Sequence, residues 1–272
     1  MCYYNGTKVT KQEYIRLKHL EKLVANYKFL DNPMHNGFAY GNVPVIKRME
    51  DKEDFDIVEM EWGFIPDDGR WPFIETRDQV KRFREGYTDA RGKYQKAYTT
   101  LNAVSEELLL KDKWYRDAAL NRRCLALSSG FYDYRHEAKI GKKGQPLKAT
   151  ETFPYRVGVK GTEVFYMAAI WQPWINSDTA EYIESMAIVT TASNSIMSQI
   201  HNVKKRMPTM LTEDLAWEWI FGELPEKRIL EIAAFQIPSK EMEAYTIDKQ
   251  FRTAEDPLIP CEYQTLTPLV YS

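Results

Sequence analysis

The chain begins MCYYN, with a cysteine directly behind the initiator methionine. Removing Met1 would expose an α-amine and a thiol on one residue, a pair suited to trapping aldehydes or to activating itself without a distant base. Three further segments place polar side chains among apolar or turn residues: LNAVSEE around Asn102, SSGFYDYRH around Asp133, and SQIHNVKKRMP around His201. Asp133 sits in an apolar, aromatic run, where an unpaired carboxylate is costly, so a buried partner or a functional pocket must account for it. Asn102 also suits a strand end, and His201 also suits a satisfied helix end. Lys204, Lys205 and Arg206 form a local cationic cluster. Trp62 and Phe131 are candidate stacking faces, the combination a single-strand groove needs.

Composition narrows the classes of function. Lys and Arg total 37 against 39 Asp and Glu, a formal net charge of -2, so any nucleic-acid site must be a local patch. Cys2, Cys124 and Cys261 are too far apart in the chain for a disulfide framework, and with four histidines and no CxxC or HxxxH spacing no metal site is expected. Cys124 reads as a small core residue and Cys261 as a loop residue. No apolar run approaches the roughly 20 residues of a membrane-spanning helix, and the start carries no signal-peptide core. A cytoplasmic protein is expected.

The elements that must position these residues are mostly strands. Short β-like runs occur at PVIK, EMEWGFI, CLALSSGFYDY, YRVGV, VFYMAAIW and SMAIVTT. The spacing of Tyr14, Leu17, Leu20 and Val24, with Thr10 and Glu13 as a capping box, predicts an early amphipathic helix. Later helices are expected at TEDLAWEWIF and PEKRILEIAAF, with Trp217 and Trp219 packing on a helix face. HEAKIGKKGQPLKATET reads as a long hairpin excursion. The strands do not alternate with helices as a parallel sheet requires, so the fold class is α+β with a curved, largely antiparallel sheet, in one domain over residues 1–272.

Together these segments resemble the SRAP family, the SOS response-associated peptidases that crosslink to abasic sites. The segment RRCLALSSGFYDY resembles R-R-C-L-x-P-x-x-G-F-Y-E-W, LNAVSE resembles N-A-R-x-E, EWGFIP carries the W-G-x-x-P element, and the run from Ile188 to Pro208 is similar to T-T-x-A-N-x-x-x-x-x-I-H-x-R-M-P. The resemblance implies a pseudo-barrel core with flanking helices, and a protein that binds abasic sites in single-stranded DNA as a monomer, nucleoid-associated when bound, with no cofactor. It makes processed Cys2 the nucleophile that closes a thiazolidine on the sugar aldehyde, with Asn102, Asp133 and His201 supporting it. The family glutamate is Asp133 here, its N-A-R arginine is Val104 and its tryptophan is Tyr134. Two rival expectations stand beside this one: a Cys2-dependent thiol peptidase or self-processing hydrolase, and a non-covalent single-strand binder.

Overall fold

The computed structural model describes residues 2–50, 52–67, 69 and 73–271. Strand β1 (Tyr4–Gly6) leads into a hairpin of β2 (Tyr14–Leu17) and β3 (Leu20–Leu23), followed by β4 (His35–Asn36), β5 (Asn42–Arg48) and β6 (Phe55–Trp62). Helix α1 (Arg77–Glu85) precedes the small hairpin β7 (Tyr87–Thr88) and β8 (Tyr94–Gln95), then β9 (Asn102–Val104) and α2 (Arg116–Asn121). The long strands come next: β10 (Arg123–Ser128), β11 (Gly130–Ile140), β12 (Pro146–Val159), β13 (Phe165–Ile175) and β14 (Tyr182–Ala192). The chain closes with α3 (Ser195–Ile200), β15 (Arg206–Pro208), β16 (Met210–Leu211), α4 (Glu213–Phe221), α5 (Glu226–Ala233) and β17 (Met242–Thr246).

Strands β14, β6, β5, β10 and β13 pair in that order, and β13 pairs again with β14, so the five close into a barrel. Closure leaves no strand edge open in the ring. The β6–β14 contact is parallel and the other four are antiparallel. A second, antiparallel sheet runs β17-β12-β11-β1-β4. The fold is thus the α+β, pseudo-barrel class expected.

Successive residues of the barrel strands face two different cores, as the period of two requires. In β10, Leu125 and Leu127 join a cluster with Ala118, Trp219 and Ile229 from α2, α4 and α5. Cys124 and Ala126 join the other, with Cys2, Phe131 and Val157 and with Ile196, Met197 and Ile200 of α3. The start of the chain and α3 are therefore gathered between the barrel and the second sheet. Trp219 secures α4 by donating its indole N–H to the Cys124 and Ala169 carbonyls at 3.0 and 3.1 Å.

The early helix expected from Tyr14 to Val24 is instead the hairpin β2–β3. Leu17 and Leu20 face each other across the turn, Lys18 takes φ of +51°, and Ile15 and Leu17 alternate into the core at 1 and 0 % exposure. A spacing of three residues is shared by a helix face and a tight turn; the alternation of Ile15 and Leu17 was the signal that separates them. Thr10, expected to cap that helix, donates its hydroxyl to Glu163 at 3.0 Å. The late helices are α4 and α5, and the long hairpin excursion is β11–β12 with its turn at 141–145. No helix among the described residues is long and apolar enough to cross a membrane.

Candidate active site

Cys2 lies just before β1, fully buried, its thiol donating to the Tyr4 carbonyl at 3.7 Å. Burial pushes the thiol up to about 12, and the charge of Asp133 acts in the same direction. A neutral buried thiol is a poor nucleophile at neutral pH. Asn102, on β9, reaches it through the barrel: β9 runs parallel to β14, with Asn102 opposite Ile188, and Asn102 Nδ2 donates to the Cys2 carbonyl at 3.0 Å. Asn102 Oδ1 is buried with no hydrogen-bond donor among the described residues.

Asp133, on β11 and 7 % exposed, accepts at Oδ1 from its neighbour's N–H, Tyr134 N, at 2.8 Å. Its Oδ2 lies 3.0 Å from His201 Nδ1. The directed hydrogen bond of that nitrogen goes to the Arg206 carbonyl at 3.1 Å, so Oδ2 has an electrostatic contact but no hydrogen-bond donor. Two acceptors around Nδ1 assign the imidazole proton to Nδ1. His201 is the C-cap of α3, a helix started by Asn194, whose side chain accepts from Met197 N. All four residues expected at the site thus occupy one seam, in two contacting pairs, and the Asp133 charge links the pairs by acting on Cys2. Among the described residues no three His, Cys, Asp or Glu side chains gather as a metal site would.

The expected DNA contacts fare differently. Trp62 and Phe131 are 1 and 0 % exposed and offer no ring to a base. Trp62 ends β6 in the same core cluster as Cys2 and donates its indole N–H to the Leu101 carbonyl at 3.0 Å, bracing the residue before Asn102. Trp62→Phe is expected to cost about 1–3 kcal/mol in urea unfolding, from the lost hydrogen bond and the space left by the indole. Arg206 is bound in a fork to Glu106 at 2.6 and 2.9 Å and also donates to the Thr190 carbonyl, so its charge holds β15 to the barrel. Lys204 and Lys205 are exposed on the turn that starts at His201, where Lys205 N donates to the His201 carbonyl at 2.9 Å.

An aromatic pair that the sequence reading did not single out flanks Cys2. Tyr3 and Phe38 have ring centroids 4.8 Å apart, and Phe38 is 48 % exposed. Burial raises the Tyr3 phenol, and the charge of Asp133 adds to it, which puts the ring beside the site. Gly37 makes this approach possible. Its N–H donates to the Tyr3 carbonyl at 2.8 Å, and a Cβ there would meet that oxygen at 3.0 Å and Leu101 at 2.9 Å.

Burial orders the three thiols. Iodoacetamide at pH 8 is expected to label half-buried Cys261 in the folded protein, while Cys2 and Cys124 react only on unfolding, as peptide mass spectrometry would read. A thiol held neutral by the fold stabilises it below the ordinary thiol pKa, about 8.5. That contribution is lost as pH rises from there toward about 12, the raised value of Cys2.

The closed barrel and the second sheet thus hold Cys2 near Asn102, Asp133 and His201. Residues 1–254 match the SOS response associated peptidase (SRAP) family, and the chain belongs to it. Among its relatives is the abasic site processing protein YoqW of Bacillus subtilis, 24 % identical over 173 residues, covering 63 % of this chain and 70 % of that protein. Another, the abasic site processing protein HMCES of Xenopus tropicalis, is 25 % identical over 218 residues, covering 74 % of this chain and 57 % of that protein. A crystal structure of a protein from Bacteroides thetaiotaomicron has the same fold, with a TM-score of 0.68 at 23 % identity over 95 % of this chain and 97 % of that one.

Proposed function

We propose that this protein captures the open-chain aldehyde of an abasic site in single-stranded DNA on the amine and thiol of Cys2, once Met1 has been removed. The observation that carries the reading is a pair of buried acceptors without donors among the described residues, Asn102 Oδ1 and Asp133 Oδ2, on the residues that bracket Cys2. A buried polar atom left unpaired is costly, and it is retained where a reacting group supplies its partner. The N–H of an amine and the O–H of an opened sugar are such partners. The names of the relatives support the same substrate.

The chemistry follows from the groups in place. The α-amine, with a reference pKa of about 7.7–8.0, is partly neutral near pH 7, below the ordinary thiol pKa of about 8.5, so the amine attacks first. A carbon–nitrogen bond forms and the amine proton passes to the former carbonyl oxygen. Asp133, as its acid, protonates that hydroxyl as it leaves as water and recovers a proton from the nitrogen, and an imine remains. The thiol sulfur then adds to the imine carbon, its proton passes to the nitrogen, and a five-membered thiazolidine closes. Aldehyde and protein combine with loss of one water. Asn102 holds the Cys2 carbonyl and receives an amine N–H, and His201 keeps Asp133 in place. No metal or organic cofactor enters these steps.

Lys204 and Lys205 meet phosphates near the lesion, and the Tyr3–Phe38 pair takes the stacking role first assigned to Trp62 and Phe131. The protein acts as a monomer in the cytoplasm on nucleoid DNA, and any peptidase action is confined to releasing its own Met1. No observation favours a thiol hydrolase on other proteins, because the Cys2 thiol donates to a backbone carbonyl and burial raises its pKa. Incubation with a single strand bearing one abasic site, followed by a denaturing gel, tests the proposal. A band shift is expected with that strand and not with an intact strand or one whose abasic sugar lacks the aldehyde. Salt-sensitive binding with no denaturation-resistant band would instead leave a non-covalent binder.

A further inference from the structure

Strand β11 is paired by β1 on one edge only as far as Tyr132, opposite Tyr4. Beyond that point the edge would be open, and two side chains fill it. Asp133 takes the Tyr134 N–H, and Asn202 takes both polar groups of His136: its Oδ1 accepts from His136 N at 3.0 Å and its Nδ2 donates to the His136 carbonyl at 2.7 Å. A carboxamide presenting acceptor and donor together supplies the two hydrogen bonds that one residue of an adjacent strand would make. Asn202 directly follows His201, and His136 stands three residues after Asp133. The peptide that carries the imidazole is thereby fastened to the strand that carries the carboxylate.

We infer that Asn202 is a positioning residue for the capture reaction, holding His201 Nδ1 at its 3.0 Å separation from Asp133 Oδ2. The inference rests on the reading of the Cys2 site given above. Helix α3, just before the turn that holds Asn202, carries a control. Gln199 makes a bridge of the same kind, accepting from Val270 N at 3.0 Å and donating to the Val270 carbonyl at 2.9 Å. It ties α3 to a C-terminal segment beyond the family-matched residues 1–254 and to no residue of the site. Asn202 and Gln199 thus make equivalent hydrogen bonds from neighbouring turns, and only one of them leads to Asp133.

Misplacing a reacting group by about 1 Å can cost on the order of 100-fold in rate. Asn202→Ala should therefore slow adduct formation by roughly 10- to 100-fold at saturating abasic DNA, with binding of an intact single strand unchanged. Asn202→Asp keeps the acceptor and loses the donor, so its rate should fall between wild type and Asn202→Ala; it also serves as the test variant if Asn202→Ala fails to fold. Gln199→Ala should capture at the wild-type rate. In a His201→Ala background, Asn202→Ala should cause no further loss. An additional loss there, or equal slowing in Gln199→Ala, would overturn the inference. The imidazole Nδ1–H resonance of His201 in the DNA-free protein gives a readout independent of capture. It should be slow to exchange in wild type and Gln199→Ala and exchange-broadened in Asn202→Ala. Should wild type form no adduct, the capture reading falls, while an unchanged resonance in Asn202→Ala would separately refute the positioning role.

Discussion

Cys2→Ala is expected to abolish the persistent adduct while leaving one that borohydride can trap. Alanine at position 2 still permits removal of Met1 and still offers an α-amine to the aldehyde, so the imine forms. Without sulfur the imine cannot close into a thiazolidine, and water reverses it. The gel should therefore show no band from Cys2→Ala unless the mixture is reduced before denaturation. A chain extended at its N-terminus, with Cys2 acylated, should give no band under either condition, because its amine is an amide. The difference separates the work of the amine from that of the thiol. It also bears on order: the thiol can close the ring only on an imine already formed, so its turn comes after the amine's.

The second large effect belongs to the carboxylate. Asp133→Asn keeps the oxygen that accepts from Tyr134 N and the approximate shape beside His201, so the strand and seam should survive. What it loses is the proton that must reach the departing hydroxyl. General acid catalysis of this kind is worth about 10²–10⁴-fold, and the single-turnover rate of adduct formation should fall by that order with little change in binding to an intact strand. A loss of binding in step with rate would place Asp133 in DNA recognition instead.

What the sequence disclosed depended on whether the deciding contact was local. Helices α4 and α5 show an apolar face in their own residues, Ile229, Ile232 and Ala233 among them, and the strands of the barrel show apolar runs bounded by turns. The β2–β3 hairpin was misread because Leu17 and Leu20 satisfy a helical spacing and a turn equally well. At the site, the residue types were legible but their partners were not. Asn102 meets Cys2 across 100 positions, and Arg206 meets Glu106 across another 100, so nothing beside Arg206 in the chain marks its charge as already paired. Trp62 and Phe131 illustrate the same limit: an aromatic ring beside a site motif packs a core or stacks on a base, and only burial decides. Tyr3 was visible in MCYYN, whereas its exposed companion Phe38 comes from a distant loop that Gly37 allows to close on it.

The central claim is that one aldehyde and one aminothiol join on Cys2 with loss of a single water. Intact mass spectrometry of the purified adduct, followed by peptide mapping, measures this most directly. The mass predicted is that of the chain without Met1 plus the abasic strand less one water, stable without reductant, with the modification on the N-terminal Cys2 peptide. An adduct mapped to a lysine, one that retains Met1, or none at all with the Cys2 terminus verified would contradict it.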